Sequence, residues 1–192
     1  MFPNMKAKYV LPDGKEAAAG EAGELWLQGP NVFKGYLNKP DATKDALTED
    51  GYFKTGDVGY QDKDHNFYIT DRVKELIKYK GFQVAPAELE GLLMGHPKVN
   101  DVAVIGIENK QEHTEVPRAY VVPGDDSKRD SAAANEIIRW MDSRVASHKK
   151  LRGGIRFVDE IPKSASGKIL RRVLKDKAAE EEKEGKSSKP KL

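Results

Sequence analysis

Asp71-Arg72-Val73-Lys74-Glu75-Leu76-Ile77-Lys78-Tyr79-Lys80-Gly81-Phe82-Gln83-Val84-Ala85-Pro86-Ala87-Glu88 is the stretch from which the fold is read. Arg72, Lys74, Lys78 and Lys80 crowd together, yet Val73, Leu76, Ile77, Phe82 and Val84 thread between them, which no solvated basic tail does. Gly81 falls where a β-turn would reverse the chain. Pro86 then opens an apolar, helix-like run through Leu89, Leu92 and Leu93, with Glu88 and Glu90 in its first turns, where a helix N-terminus favours acids. A short ordered element that carries several cations and ends in a tight turn suits a polyanionic small molecule.

Downstream of this stretch, strands and helices alternate. The pattern predicts a helix over 86–94, apolar strands over 101–107 and 118–122, and a longer helix over 130–148 with Ile137, Ile138, Met141 and Val145 on one face. A third strand over 155–158 and a last short helix over 169–175 complete an α+β domain. From Lys175 onward the run Glu180-Glu181-Glu182-Lys183-Glu184 and the tail Ser187-Ser188-Lys189-Pro190 carry too little apolar content to pack, and 176–192 is expected to be disordered. Upstream, residues 1–72 read as β-rich. Strands are expected over 7–11, 23–30 and 67–70, with Pro12-Asp13-Gly14-Lys15 as a turn and a short helix over 42–47 capped by Asp41. The domain boundary is placed at Arg72 to Lys74, giving parts 1–72, 73–175 and 176–192.

Bulk composition removes several function classes. The chain has 192 residues, 33 basic against 31 acidic, a formal net charge of +2. That balance argues against a nucleic-acid binder held by bulk charge. The absence of cysteine excludes disulfides, zinc–thiolate sites and thiol catalysis. No apolar run approaches the roughly 20 residues of a membrane span, and Met1-Phe2-Pro3-Asn4 is not a signal peptide. A soluble, intracellular protein is the expectation.

Single residues point more weakly. Pro162-Lys163-Ser164-Ala165-Ser166-Gly167-Lys168-Ile169 contains a Gly-Lys pair, but Pro162 and Ile169 stand where a Walker loop needs glycine and Ser or Thr. On spacing alone Lys168 is a solvated loop lysine ahead of a helix. Asp57, after Thr55-Gly56, has the character of a turn aspartate that satisfies its own backbone or accepts bonds from a vicinal diol such as ribose. Asp62-x-Asp64-x-Asn66 imitates a calcium loop, but Phe67 and Val73 replace its glycine and glutamate. His65, His96, His113 and His148 have no metal-ligand spacing and read as surface or turn residues. No metal site is expected. Trp26 and Trp140 read as core or boundary residues.

Taken in order, these signals combine. Gly23-Glu24-Leu25, Gly29-Pro30, Gly35-Tyr36, Tyr52-Phe53-Lys54-Thr55-Gly56-Asp57, the opening stretch through Glu90, and Pro162-Lys163-x-x-x-Gly167-Lys168 together resemble the adenylate-forming enzymes. The branch most similar is that of 4-coumarate:CoA ligases, firefly-luciferase-type enzymes and related acyl-CoA synthetases, over about residues 1–175. The resemblance implies an α+β chain: part of a β-barrel-like subdomain, followed by a small mobile domain with a three-stranded sheet and helices. It implies activation of a carboxylic acid by ATP, then acyl transfer from AMP to coenzyme A. By the same resemblance Asp57 and Arg72 hold the nucleotide, Lys74 is the hinge and Lys168 is the adenylation lysine. Lys78 and Gln83 serve thioester formation, and Lys80 and Gly81 line the path of coenzyme A.

The family's phosphate loop, its aromatic-Gly-x-Thr-Glu motif, its acyl pocket and its Mg2+ ligands belong to an N-terminal region with no counterpart here. The expectation is the C-terminal part of an acyl- or aryl-CoA ligase, inactive without that remainder. A non-catalytic module for coenzyme A or a partner, and an amino-acid-activating domain of a peptide synthetase, are the alternatives; Lys74 counts against the latter, which usually carries aspartate there. Pro190-Lys191-Leu192 resembles a peroxisomal Ser-Lys-Leu address, so import through the peroxisomal receptor is expected, with a cytoplasmic location otherwise.

Overall fold

The computed structural model describes residues 2–124 and 128–187. They form two units, Met1–Lys74 and Glu75–Leu192.

The first unit is an open antiparallel sheet of β1 (Lys6–Val10), β2 (Gly23–Gln28), β3 (Phe53–Gln61) and β4 (Phe67–Arg72) in that order, with α1 (Pro40–Ala46) between β2 and β3. Its buried apolar side chains are few, among them Tyr9, Val10 and Val58. At Gly59 the strands approach so closely that a Cβ would stand 1.7 Å from the Tyr68 carbonyl oxygen, to which the Tyr9 hydroxyl also donates at 2.9 Å. The short helix differs from expectation at its start. Pro40 is its first residue and Asp41 lies within the first turn rather than capping it, because the fixed φ of proline suits that opening position.

The second unit opens with a hairpin, β5 (Ile77–Tyr79) and β6 (Phe82–Val84). Lys80 and Gly81 form its two-residue turn with φ of 45° and 85°, the positive pair that a type I′ turn demands. Ile77 faces Val84 and both are buried, so alternation sends Lys78 and Gln83 outward together. After α2 (Pro86–Leu93) come β7 (Val99–Asn109), β8 (Thr114–Pro123), α3 (Ser131–Asp142), β9 (Ile155–Phe157) and α4 (Arg171–Ser187). β7 and β8 are antiparallel, and β9 runs parallel to β8 on its other side. Val102 to Ile107 are all buried, the continuous apolar run of a strand covered on both faces. α2 and α4 pack on β7, α3 packs on β9, and Leu89, Leu93, Ile137, Met141 and Leu174 join the strands in one core.

The ends of two helices differ from expectation. The long helix stops at Asp142, since the Ser143 hydroxyl and the Arg144 guanidinium both donate to the Trp140 carbonyl at 2.9 Å; a short 3-10 turn, Ser147–Lys149, follows. α4 does not end at Lys175 but runs to Ser187, so 176–187 is helical rather than disordered. Ala178 continues the buried stripe of Leu174, and the Glu181 carboxylate lies 3.7 Å from Arg118 and 3.5 Å from Arg156. His96 lies in the turn after α2, one of the two settings expected for the histidines, and is buried there. Its ring meets Trp140 edge-on at 5.1 Å, its Nδ1 accepts the Lys98 N–H at 3.2 Å, and burial pushes its pKa down. The tripeptide Pro190-Lys191-Leu192 lies outside the described residues.

Candidate functional site

In the first unit, Asp57 and Arg72 are register partners on β3 and β4, and the Arg72 Nε lies 3.1 Å from Asp57 Oδ1. Asp57 therefore sits inside a strand, not in a turn of its own. The preceding residues make the irregularity instead. The Thr55 hydroxyl donates to Leu25 O at 2.7 Å and accepts the Asp57 N–H at 3.0 Å, while the Gly56 N–H donates to the Glu24 carboxylate at 3.0 Å. This bracing fixes the Asp57 backbone and leaves its carboxylate about a third exposed, able to accept from a polar ligand. Arg72, at 61 % side-chain exposure, makes a screened surface pair worth at most about 1 kcal/mol. Lys74 is exposed and is the last residue of this unit.

In the second unit, Lys78 and Gln83 stand directly opposite each other across the hairpin, both exposed. The hairpin is fastened through its backbone. The Lys78 N–H donates to Glu115 Oε2 at 2.8 Å, the Thr114 hydroxyl donates to the Lys78 carbonyl at 2.8 Å, and the Lys80 N–H donates to the same hydroxyl oxygen at 2.8 Å. Phe82 stacks on His148 with centroids 4.5 Å apart, and the Arg152 guanidinium lies 4.6 Å from the Tyr79 ring. The Lys80 ammonium pairs with Glu112 at 3.3 Å, and the hydrogen bond and charge of that carboxylate raise its pKa. The turn thus presents a bare backbone at Gly81 between outward polar side chains.

Lys168 lies in a closed loop rather than a loose one. The Ser164 N–H donates to the Lys168 carbonyl at 2.8 Å, the Gly167 N–H donates to Ser164 O at 2.9 Å, and the Lys168 N–H donates to the Ser164 hydroxyl at 3.1 Å. Its side chain is 56 % exposed, and its ammonium lies 3.8 Å from Glu75. Behind it is a half-buried ionic cluster in which Arg171 Nη1 donates to Glu75 at 2.7 Å and Nη2 donates to Glu90 at 2.8 and 2.7 Å. Arg171 and Glu90 are each only 12 % exposed. The Val104 N–H donates to Glu90 at 2.8 Å, and Arg171 Nε donates to the Val104 carbonyl at 3.4 Å, so the pair also satisfies the outer edge of β7.

Sequence reading did not single out Glu75, Arg171, Thr114 or Glu115, and it placed Glu90 only as a helix-terminal acid. The one available signal was Arg171 at the start of a helix, where a cation opposes the helix dipole and needs another reason to be there. Among the described residues no group of three or more His, Asp or Glu could hold a metal ion, and no helix is long and apolar enough to cross a membrane. A groove of about 550 Å3 lies along α3 and β9, lined by Arg129, Asn135, Ile138, Arg156 and Phe157, and contains none of the predicted site residues.

Comparison with known proteins finds a matching family model and similar chains. Residues 88–168 match the family model described as the AMP-binding enzyme C-terminal domain. The phenylacetyl-CoA ligase epaB of Aspergillus niger is 47 % identical over 182 residues, covering 94 % of this chain and 33 % of that protein. Luciferin 4-monooxygenase of Luciola mingrelica is 43 % identical over 177 residues, covering 92 % and 32 %. Among solved structures, ATP-bound MatB from Rhodopseudomonas palustris superposes with a TM-score of 0.81 at 34 % identity, covering 91 % of this chain and 34 % of that one. The chain spans about a third of the length of the curated relatives it matches.

Proposed function

The chain carries the C-terminal domain of the adenylate-forming enzymes, and on that premise we propose that it is the C-terminal portion of an ATP-dependent acyl- or aryl-CoA ligase. The observation that carries the reading is the pairing, within one unit, of an outward Lys78–Gln83 hairpin and a closed loop presenting Lys168. In the first half-reaction the substrate carboxylate attacks the α-phosphorus of ATP and pyrophosphate leaves. Lys168 places a positive charge beside the oxygens that gain negative charge in that step. In the second, the coenzyme A sulfur attacks the acyl carbon and AMP leaves, with the Lys78–Gln83 face toward the acyl-adenylate. Lys80 and Gly81 border the pantetheine arm, which passes close to the backbone where glycine has no side chain.

Asp57 holds the ribose hydroxyls, Arg72 assists at the ribose and phosphate, and Lys74 is the pivot; the unit boundary immediately after Lys74 supports that last role. Mg2+, which accompanies ATP, meets no group of three or more His, Asp or Glu among the described residues and would be held by the N-terminal region. The sparse core of the first unit supports a need for a further N-terminal region, which would also choose the acid.

The test mixes the chain with ATP, a panel of aryl and acyl acids and coenzyme A, with and without the separately made N-terminal two-thirds of a close relative. Pyrophosphate release in the mixture alone is the expected result. Release by the chain alone would overturn the dependence on an N-terminal region. Binding of coenzyme A without turnover in any mixture would favour a non-catalytic binding module. Peroxisomal import through Pro190-Lys191-Leu192 is part of the proposal and is read by moving the last ten residues onto a fluorescent reporter; diffuse cytosolic signal would count against it.

A further inference from the structure

Two cations and two carboxylates meet behind the Lys168 loop. Arg171 lies between Glu75 and Glu90, and the second cation is the Lys168 ammonium, 3.8 Å from Glu75 Oε1. The two carboxylates are not equivalent. Glu90 is engaged bidentately by Arg171 and also accepts the Val104 N–H, whereas Glu75 gives Arg171 one oxygen, Oε2, and turns the other toward Lys168. Glu75 is the first residue of the second unit, and Lys168 and Arg171 lie on one short stretch at the start of α4. The same carboxylate therefore fastens that stretch to the chain just beyond Lys74 and orients the ammonium at its tip.

From this geometry we infer that Glu75 is a positioning residue for Lys168: it fixes the direction of the ammonium relative to the start of the unit, with Arg171 and Glu90 holding the carboxylate in place. The inference rests on the adenylation role proposed above for Lys168. Loop closure alone does not supply this direction. The backbone bonds of 164–168 hold the Lys168 peptide, but its side chain has rotatable bonds beyond them and is more than half exposed. Glu75 is the partner recorded for its ammonium.

Glu75→Gln is the informative change, because the amide oxygen still accepts from Arg171 while the charge facing Lys168 is gone. It leaves Arg171 with Glu90 as a balanced pair, so the unit keeps its fold, checked by the unfolding midpoint. Arg171→Ala is unsuitable, since it removes the cation on which both carboxylates converge and so changes stability along with direction.

Two readouts decide. On the 192-residue chain itself, trace labelling of lysines by an amine reagent, followed by mass spectrometry, should show Lys168 reacting about two- to fivefold faster in Glu75→Gln, the range set by an exposed ion pair. Lys163, paired with Asp101 at 2.6 Å in the same loop, should be unchanged. In the reconstituted enzyme, Glu75→Gln should slow adenylation by about the same factor, through kcat rather than the KM for ATP, and spare transfer from a preformed adenylate. Glu75→Asp should recover part of the loss. Unchanged labelling, or an equal loss in both half-reactions, overturns the positioning role. If Lys168→Ala leaves adenylation intact while labelling still responds to Glu75→Gln, the functional reading fails and the contact stands.

Discussion

Replacing Arg171 with methionine tests the energetics on which the second unit rests. The guanidinium has 12 % of its side chain exposed and donates to Glu75, to Glu90 and to the Val104 carbonyl. Methionine fills most of the same volume but removes the guanidinium that engages both oxygens of the Glu90 carboxylate, itself 12 % exposed. Breaking such a pair from one side costs about 3–5 kcal/mol. Glu75, at 23 % exposure and 3.8 Å from Lys168, retains some water and a second cation, which places the expected loss at the lower end, about 3 kcal/mol. The assay is urea unfolding followed by the fluorescence of Trp140, which packs on His96 in this unit, with Trp26→Phe as the common background so that only the second unit reports. Converting Glu75 and Glu90 to glutamine in the Arg171→Met chain removes the two carboxylate charges while leaving an acceptor for the Val104 N–H, and should return at least half of the loss. A single variant within about 1 kcal/mol of the parent, or a triple variant less stable than the single, would refute the account of a cation required by its burial.

In the reconstituted enzyme, Lys168→Ala should slow adenylation by about 10²-fold while largely sparing transfer from a preformed adenylate; equal losses in the two half-reactions would contradict the division of labour. A chain ended at Lys175 loses the buried Ala178 and the Glu181 carboxylate near Arg118 and Arg156, and should be less stable by about 1–3 kcal/mol in the same unfolding assay. An unchanged midpoint would mean that α4 beyond Lys175 packs against nothing that matters. Lys80 has its pKa raised by Glu112, so the pair's contribution is complete below the ordinary lysine range and is lost as pH rises through the higher folded value. Glu112→Gln should lower the Lys80 titration midpoint followed by NMR at its ε-carbon, and an unmoved midpoint would rule the pairing out.

What could be read from the sequence was local. The Lys80-Gly81 turn, the outward Lys78 and the inward Ile77 and Val84 follow from alternation and one glycine within eight residues. The strands β7 and β8 announce themselves as apolar runs, and the three-stranded sheet with its helices matches the expected α+β architecture. The cluster of Glu75, Glu90 and Arg171 leaves no such trace. Its members are up to 96 positions apart, and a half-buried arginine and a solvated one are spelled alike. The length of α4 was missed for a related reason, since one alanine in register with Leu174 and one glutamate near two arginines from other strands outweigh an otherwise charged composition. Asp57 reads as a turn residue because Thr55-Gly56 precedes it, but Glu24, from a neighbouring strand, absorbs the irregularity and lets β3 continue.

The way the hairpin is held has a consequence for what it tolerates. Thr114 and Glu115 grip the main chain of Lys78 and Lys80, and Ile77 and Val84 supply the anchorage beneath, so no attachment recorded at Lys78 or Gln83 depends on the outward side chain. Those two positions can therefore be substituted without loosening the platform. Changing Thr114 or Glu115 instead removes the contacts that hold the hairpin's main chain.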